Sequence, residues 1–270
     1  MDNRPIGFFD SGLGGLTCVP HLMRKIPKER IVYFGDTART PYGSKSPETI
    51  KQFTMQIGEF LVKQNVKMIV IACNTVSATC LDELKKMYPE IPVVGIIQPT
   101  ARQIANASLS TDKIGIIATK VTIQSNAYEN MIKEINPNLQ LFSEACPAFV
   151  PLIEEGIIQN DIMNLTIKYY LEDFISQNKI NTLVLGCTHY PLIRKNITKL
   201  YPQLKIINPS EEIIDEIDDV LRDKDLYADN PNQDNVFYAS DLSENFVNMI
   251  QKILETEPDD INIKFKNLDI

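Results

Sequence analysis

Met68-Ile-Val-Ile-Ala-Cys73-Asn74-Thr75 and Thr182-Leu-Val-Leu-Gly-Cys187-Thr188-His189 each run a short apolar strand directly into a cysteine followed by small polar groups. A second pair, Ile6-Gly-Phe-Phe-Asp10-Ser11-Gly12 and Ile114-Gly-Ile-Ile-Ala-Thr119, recurs at nearly the same interval, with glycines at 7 and 115 against cysteines at 73 and 187. Two repeats at nearly equal intervals argue for two halves related by duplication, each delivering one thiol from the C-terminal end of a strand. Thiols so related can meet across a shared cleft and face one carbon from opposite sides. A proton taken from one face and returned to the other inverts that carbon.

Outward from these strands, apolar runs alternate with amphipathic stretches almost throughout. Strands are expected at 6–9, 31–34, 68–72, 93–96, 113–118, 139–144, 182–186, 205–208 and 235–238. Helices are expected at 47–64, 78–88, 124–136, 165–177, 191–201, 211–222 and 243–254, with apolar residues at three- and four-residue spacing, as in Phe53, Ile57, Phe60 and Leu61. Short apolar strands between helices are the mark of parallel sheets covered on both faces. The expected fold is therefore α/β: two doubly wound, mainly parallel-sheet domains related by a pseudo-two-fold axis. One domain takes 1–97 plus 207–270 and the other 98–206. The stretch 228–235, rich in Asn, Asp and Pro, reads as an exposed loop, and the tail after Glu255 carries little signal. Ligands of such sheets bind at the carboxyl ends of the strands, where Asp10, Cys73, Thr119 and Cys187 all fall. The site is expected in the cleft between the domains.

The composition narrows the partners. With 44% hydrophobic and 23% charged residues, the chain has the make-up of a globular protein. A formal charge of −8 with scattered Lys and Arg speaks against nucleic acid, whose phosphates call for clustered cations. No apolar run is long enough to cross a membrane, and no signal-peptide core follows Met1. Five cysteines, an odd number without a dense framework, fit reduced thiols in a cytoplasm.

Among the residues able to carry chemistry, Cys73 and Cys187 come first. Each precedes helix-opening residues (Asn74, Thr75 and Ser77; Thr188 and Pro191), and a helix N-terminus favours a thiolate. Cys18, Cys80 and Cys146 read as small buried hydrophobes. His189, beside Cys187, is a general acid or base candidate, whereas His21 reads as structural. Asp10-Ser11-Gly12-Leu13-Gly14-Gly15 suggests a phosphate loop, but the dinucleotide pattern would need glycine at Thr17. A turn of this kind can equally bind a carboxylate through backbone N–H groups, with Asp10 as acceptor or relay. Pro41-Tyr42-Gly43-Ser44 is a turn able to clamp a small polar ligand. Glu154 and Glu155 follow an apolar loop, from which one carboxylate could reach His189. Cys73, Cys187 and His189 could ligate zinc, but no close CxxC or HxxxH pair supports a metal. A Cys187–His189 hydrolase would leave Cys73 idle, and a two-lobed amino-acid-binding module would need neither thiol.

Five segments in order resemble the glutamate racemases of the cofactor-independent aspartate/glutamate racemase superfamily. They are Phe9-Asp10-Ser11-Gly12-Leu13-Gly14-Gly15, Pro41-Tyr42-Gly43, Ala72-Cys73-Asn74-Thr75, Phe149-Val150-Pro151-Leu152 with Glu154, and Gly186-Cys187-Thr188-His189-Tyr190-Pro191-Leu192. Weaker similarity continues through Phe237-Tyr238-Ala239-Ser240-Asp241. The chain departs from the pattern at Ala148, where a bulkier apolar residue is usual, and at Lys120-Val121 beside Thr119.

The resemblance implies interconversion of L- and D-glutamate without cofactor or metal, supplying D-glutamate for peptidoglycan, with aspartate the nearest competing substrate. It implies that Cys73 and Cys187 alternate as proton donor and acceptor, Cys187 acting on L-glutamate and Cys73 on D-glutamate. Asp10 would support Cys73, while His189 and Glu154 lie on the Cys187 side. Substrate contacts would come from Asp10, Ser11, Pro41, Tyr42, Gly43, Asn74, Thr75, Thr119, Thr188 and His189. The matched motifs hold no arginine, so neutral donors are expected at the carboxylates. A homodimer is the assembly it implies.

Overall fold

The computed structural model describes residues 1–229, 234–255 and 261–268. Its chain begins with β1 (Ile6–Asp10), β2 (Ile31–Gly35), β3 (Met68–Ile71) and β4 (Val93–Gly95), which are buried along their whole length. Side chains on both faces of these strands must leave water, which is why they read as continuous rather than alternating apolar runs. Next come β5 (Lys113–Ala118), β6 (Gln140–Ala145), β7 (Thr182–Gly186) and β8 (Lys205–Ile207), then β9 (Val236–Ala239) and β10 (Asn262–Phe265).

Among the described residues these strands form two parallel sheets, ordered β10-β9-β2-β1-β3-β4 and β6-β5-β7-β8. The fold is α/β as expected. Within each sheet the first strand is flanked by the second and the third, with the fourth outside the third: β2-β1-β3-β4 is matched by β6-β5-β7-β8. Strand order therefore reverses between β1 and β3, and again between β5 and β7. Such switch points open a crevice at the carboxyl ends of the strands. Asp10 and Cys73 sit at one of these crevices, Thr119 and Cys187 at the other.

The helices are α1 (Val19–Lys25), α2 (Pro47–Lys63), α3 (Asn74–Met87), α4 (Ile97–Ala107), α5 (Lys120–Gln124), α6 (Ala127–Ile135), α7 (Phe149–Glu154), α8 (Asp161–Asn178), α9 (Arg194–Leu200), α10 (Pro209–Asp223) and α11 (Glu244–Leu254). Their ends follow the local sequence. Ser46, Asn160 and Asn208 cap α2, α8 and α10 through side-chain oxygens, and Pro47 and Pro209 occupy first turns, where a missing N–H costs nothing. The chain leaves the larger sheet through α4 and returns from the smaller one through α10. These two helices pack on each other and share an ion pair, Arg102 Nη1 to Glu216 Oε2 at 2.9 Å.

Four local expectations are corrected. The helix expected at 78–88 starts at Asn74, with Cys73 as its N-cap. The stretch 124–136 is divided into α5 and α6 by Asn126, whose φ of 53° an asparagine tolerates. The helix expected from Pro191 opens as a 3₁₀ turn, Tyr190–Ile193, before α9. Strand β10 lies in the tail that carried little signal; its side chains are mostly exposed at the sheet edge, so no apolar run marks it. Residues 230–233 of the expected 228–235 loop lie outside the described residues.

Far from the crevices, the Lys67 ammonium is fully buried against the Glu29 carboxylate at 2.6 Å. Its Nζ also donates to the carbonyls of Asp2 (2.7 Å) and Leu226 (2.6 Å), while Glu29 accepts from the Ala228 N–H at 2.8 Å. The pair thereby ties the foot of β3 to the N-terminal segment and to the chain beyond α10. Among the described residues no helix is long and apolar enough to cross a membrane.

Candidate active site

Cys73 leaves β3 as the last residue before α3, and Cys187 follows β7 directly. Both thiols are buried and line one cavity of about 20 Å³, room for roughly one water molecule. Ser11, Asn74 and Thr75 line the cavity on the Cys73 side. Thr119, Thr188 and His189 line it from the smaller sheet, and the turn Pro41-Tyr42-Gly43 forms a further wall. Every sequence-expected site residue except Asp10 and Glu154 lies on this cavity, and those two stand one bond behind it. Cys18, Cys80 and Cys146 are buried elsewhere, and His21 sits half-buried on α1.

The Cys73 thiol bonds the Ser11 hydroxyl at 3.5 Å. The helix N-terminus does assist its thiolate through the Val76 N–H, as expected from sequence. Burial, with the nearby Asp10 charge, outweighs that help and pushes the thiol up to about 12. Asp10 ends β1 with no exposure. It accepts from the Gly12 N–H (3.0 Å) and from the Thr188 hydroxyl (3.1 Å), so it bridges from the first thiol's sheet to the second thiol's loop. Burial raises its carboxyl, against the pull of the His189 charge.

On the other side, His189 Nδ1 lies 3.9 Å from the Cys187 sulfur and Nε2 lies 3.0 Å from Glu154 Oε1. Glu154 is also bonded by the Thr40 hydroxyl at 3.3 Å. Burial alone would lower the imidazole, but hydrogen bonds and charge from Cys187 and Glu154 outweigh it and raise it to about 10. Stability should follow that proton. Between the ordinary value of 6.5 and about 10 the folded chain holds a proton on His189 that the unfolded chain has released. Stability therefore falls as pH rises through that window. Urea unfolding at its two ends, compared with His189→Asn, should show a shallower slope in the variant; equal slopes would contradict this.

Two glycines are set by close approach. A Cβ on Gly14 would stand 2.5 Å from both His189 Nδ1 and Thr188 Oγ1, and one on Gly43 would stand 2.4 Å from the Thr119 Cβ. Only bare backbone lets the 11–15 loop and the 41–43 turn close on the opposite half. Thr75, Thr119 and Thr122 complete the seam, their hydroxyls 3.0–3.2 Å apart.

Sequence reasoning missed the support behind these walls. The Tyr42 hydroxyl donates to buried Asp36, which also takes Arg39 Nε (2.7 Å) and the Ser240 hydroxyl (2.8 Å). The Arg39 guanidinium lies 4.0 Å over the Phe53 ring. Val150 belongs to the matched segment but not to the expected site residues, and it also lines the cavity; Tyr128 donates to Asn74 at 2.7 Å. A charged residue after a strand (Asp36) and a tyrosine on a helix's core face look alike in sequence whether or not they support a site.

The cavity walls bring two thiols, several hydroxyls, one amide and one histidine together without lysine or arginine. Among the described residues, no three His, Cys, Asp or Glu side chains are grouped to hold a metal ion.

Known proteins share this fold. The sequence profile of the Asp/Glu/Hydantoin racemase family matches residues 17–217. The glutamate racemase of Geobacter metallireducens is 41% identical over 256 residues, covering 94% of each chain. The crystal structure of the Francisella tularensis glutamate racemase in complex with D-glutamate superposes with a TM-score of 0.92 at 40% identity, covering 100% of this chain and 99% of that one. The glutamate racemase isoform RacE1 of Bacillus anthracis superposes with a TM-score of 0.91 at 36% identity, each chain 99% covered.

Proposed function

The chain belongs to the Asp/Glu/hydantoin racemase family, and from that premise we propose that it interconverts L- and D-glutamate by passing the α-proton between Cys187 and Cys73. The observation that carries this reading is one small cavity lined by two thiols in unlike surroundings. A Cys187 thiolate, with the His189 cation beside it, takes the proton from Cα of L-glutamate. The Cys73 thiol, kept protonated by burial and by the Asp10 charge, gives its own proton to the opposite face. One C–H bond breaks and another forms; Cys187 ends as thiol and Cys73 as thiolate, the state required for D-glutamate.

The Cα–H is far less acidic than a thiol. At about 1.36 kcal/mol per pKa unit, a gap on the order of ten units adds roughly 14 kcal/mol to the barrier. The site must therefore stabilise carbanion charge spread onto the α-carboxylate. Preorganised neutral donors in a dry cavity suit that task, and the cavity wall offers Ser11, Asn74, Thr75 and Thr188. A cavity of about 20 Å³ is too small for glutamate, so the two halves part to admit it and close to exclude water. The D-isomer made this way would serve peptidoglycan synthesis.

Chelator-treated, reduced protein incubated with either enantiomer should bring L- and D-glutamate to equal amounts by chiral chromatography, with aspartate run in parallel. Folded protein that forms no D-glutamate from L-glutamate would reject the proposal. Faster turnover of aspartate would reject the substrate, since a one-methylene preference is worth only about 1–3 kcal/mol.

A further inference from the structure

Asn74 lines the cavity beside Cys73, and its two amide atoms have unequal fates. Oδ1 accepts a hydrogen bond from the Tyr128 hydroxyl at 2.7 Å. Nδ2 is buried and has no partner in the protein, a costly condition for a donor unless a ligand answers it. Tyr128 comes from α6, on the half that carries the other thiol. It is buried, and its ring packs over Gly186, where a Cβ would stand 3.3 Å from Cε2. One phenol thus bonds the residue after Cys73 and covers the residue before Cys187.

A carboxamide presents nearly the same shape either way round, so its orientation depends on its partners. Burial raises the Tyr128 hydroxyl, so it stays protonated with its O–H available to Asn74 Oδ1, while the Thr100 hydroxyl is its second hydrogen-bond neighbour. A donor at Oδ1 leaves the NH₂ group as the face offered to the cavity. We infer that Tyr128 is a positioning residue that holds the Asn74 carboxamide with its NH₂ directed at a carboxylate of the bound amino acid. The inference rests on glutamate being the substrate. It gives the site one fixed donor on the Cys73 side, matched to an anion and mismatched to a cationic or donor group.

Tyr128→Phe keeps the ring over Gly186 but takes the donor from buried Asn74 Oδ1, so the protein should fold with a thermal midpoint lowered by about 2–4 °C. Its KM for both enantiomers should rise about tenfold, the loss expected for one charge-assisted hydrogen bond, with a smaller change in kcat. Adding Tyr128→Phe to Asn74→Ala should cause no further loss, because the two act as one unit. Equal losses in both backgrounds, or wild-type kinetics for Tyr128→Phe, would overturn the inference.

A readout without substrate separates this from the glutamate reading. In ¹⁵N-asparagine-labelled protein, the Asn74 side-chain amide should give one sharp pair of resonances that doubles or broadens in Tyr128→Phe. An unchanged pair would overturn the inference even if glutamate is racemised. An altered pair in a protein that does not racemise glutamate would reject the substrate alone.

Discussion

Cys73→Ser and Cys187→Ser should each lower kcat/KM by about 10²–10⁴-fold, the range that a positioned acid or base contributes. Serine keeps the shape of each buried side chain, so folding is preserved, but its hydroxyl is far too weak an acid to act as an alkoxide base. Thermodynamics adds a condition. Enantiomers in water have an equilibrium constant of one, so kcat/KM must be the same for L→D and D→L in the wild type and in every variant. Each serine variant must therefore lose equally in both directions, whichever thiol is the acceptor in that direction. The division of labour between the thiols shows only in kcat and KM taken separately. Progress curves from each pure enantiomer measure all four constants. A single variant keeping more than about a tenth of the activity would show that its thiol is not one of two obligatory proton carriers.

The second large effect concerns stability. Lys67→Met should destabilise the fold by about 3–5 kcal/mol, because it strands the Glu29 carboxylate in the interior without its counter-ion. Lys67 is fully buried and Glu29 1% exposed by side chain, so water cannot take the place of the lost ammonium. Three carbonyl and N–H contacts to the N-terminal segment and the chain beyond α10 depend on the pair. Replacing both partners, Lys67→Met with Glu29→Leu, should recover most of the loss, since the desolvation of two charges is then avoided. Urea unfolding gives both numbers. A Lys67→Met variant within about 1 kcal/mol of the wild type would mean that the charge has found solvent. Racemisation should persist in the folded variants, since the pair lies at the opposite end of β3 from Cys73.

The sheet cores and thiols were legible because their physical causes are local. A strand buried on both faces must be apolar, and β1, β3, β5 and β7 announce themselves so. The repeat placed both cysteines at strand ends, and the structure sets each after the third strand of its sheet. Less legible were features decided at a distance. Strand β10 is chosen by the free edge of β9 rather than by its own hydrophobicity. Asp10 was expected to serve Cys73, and its charge does reach that thiol. Its bond to Thr188 depends on how the halves meet, which no local pattern encodes. For Cys73 the helix N-terminus that favours a thiolate is visible in sequence, whereas the full burial that outweighs it is not. Tyr128 and Asp36 were silent for the same reason.

The two crossings of the chain, α4 outward and α10 back, lie side by side and are clasped by Arg102 and Glu216. Two crossings packed side by side would act as a door hinge under the proposed opening, resisting sliding and twisting but yielding to rotation across the pair. A swing of that kind would draw Cys187 away from Cys73, and its return would restore their alignment. Accuracy at the reacting carbon would then be inherited from helices outside the cavity wall.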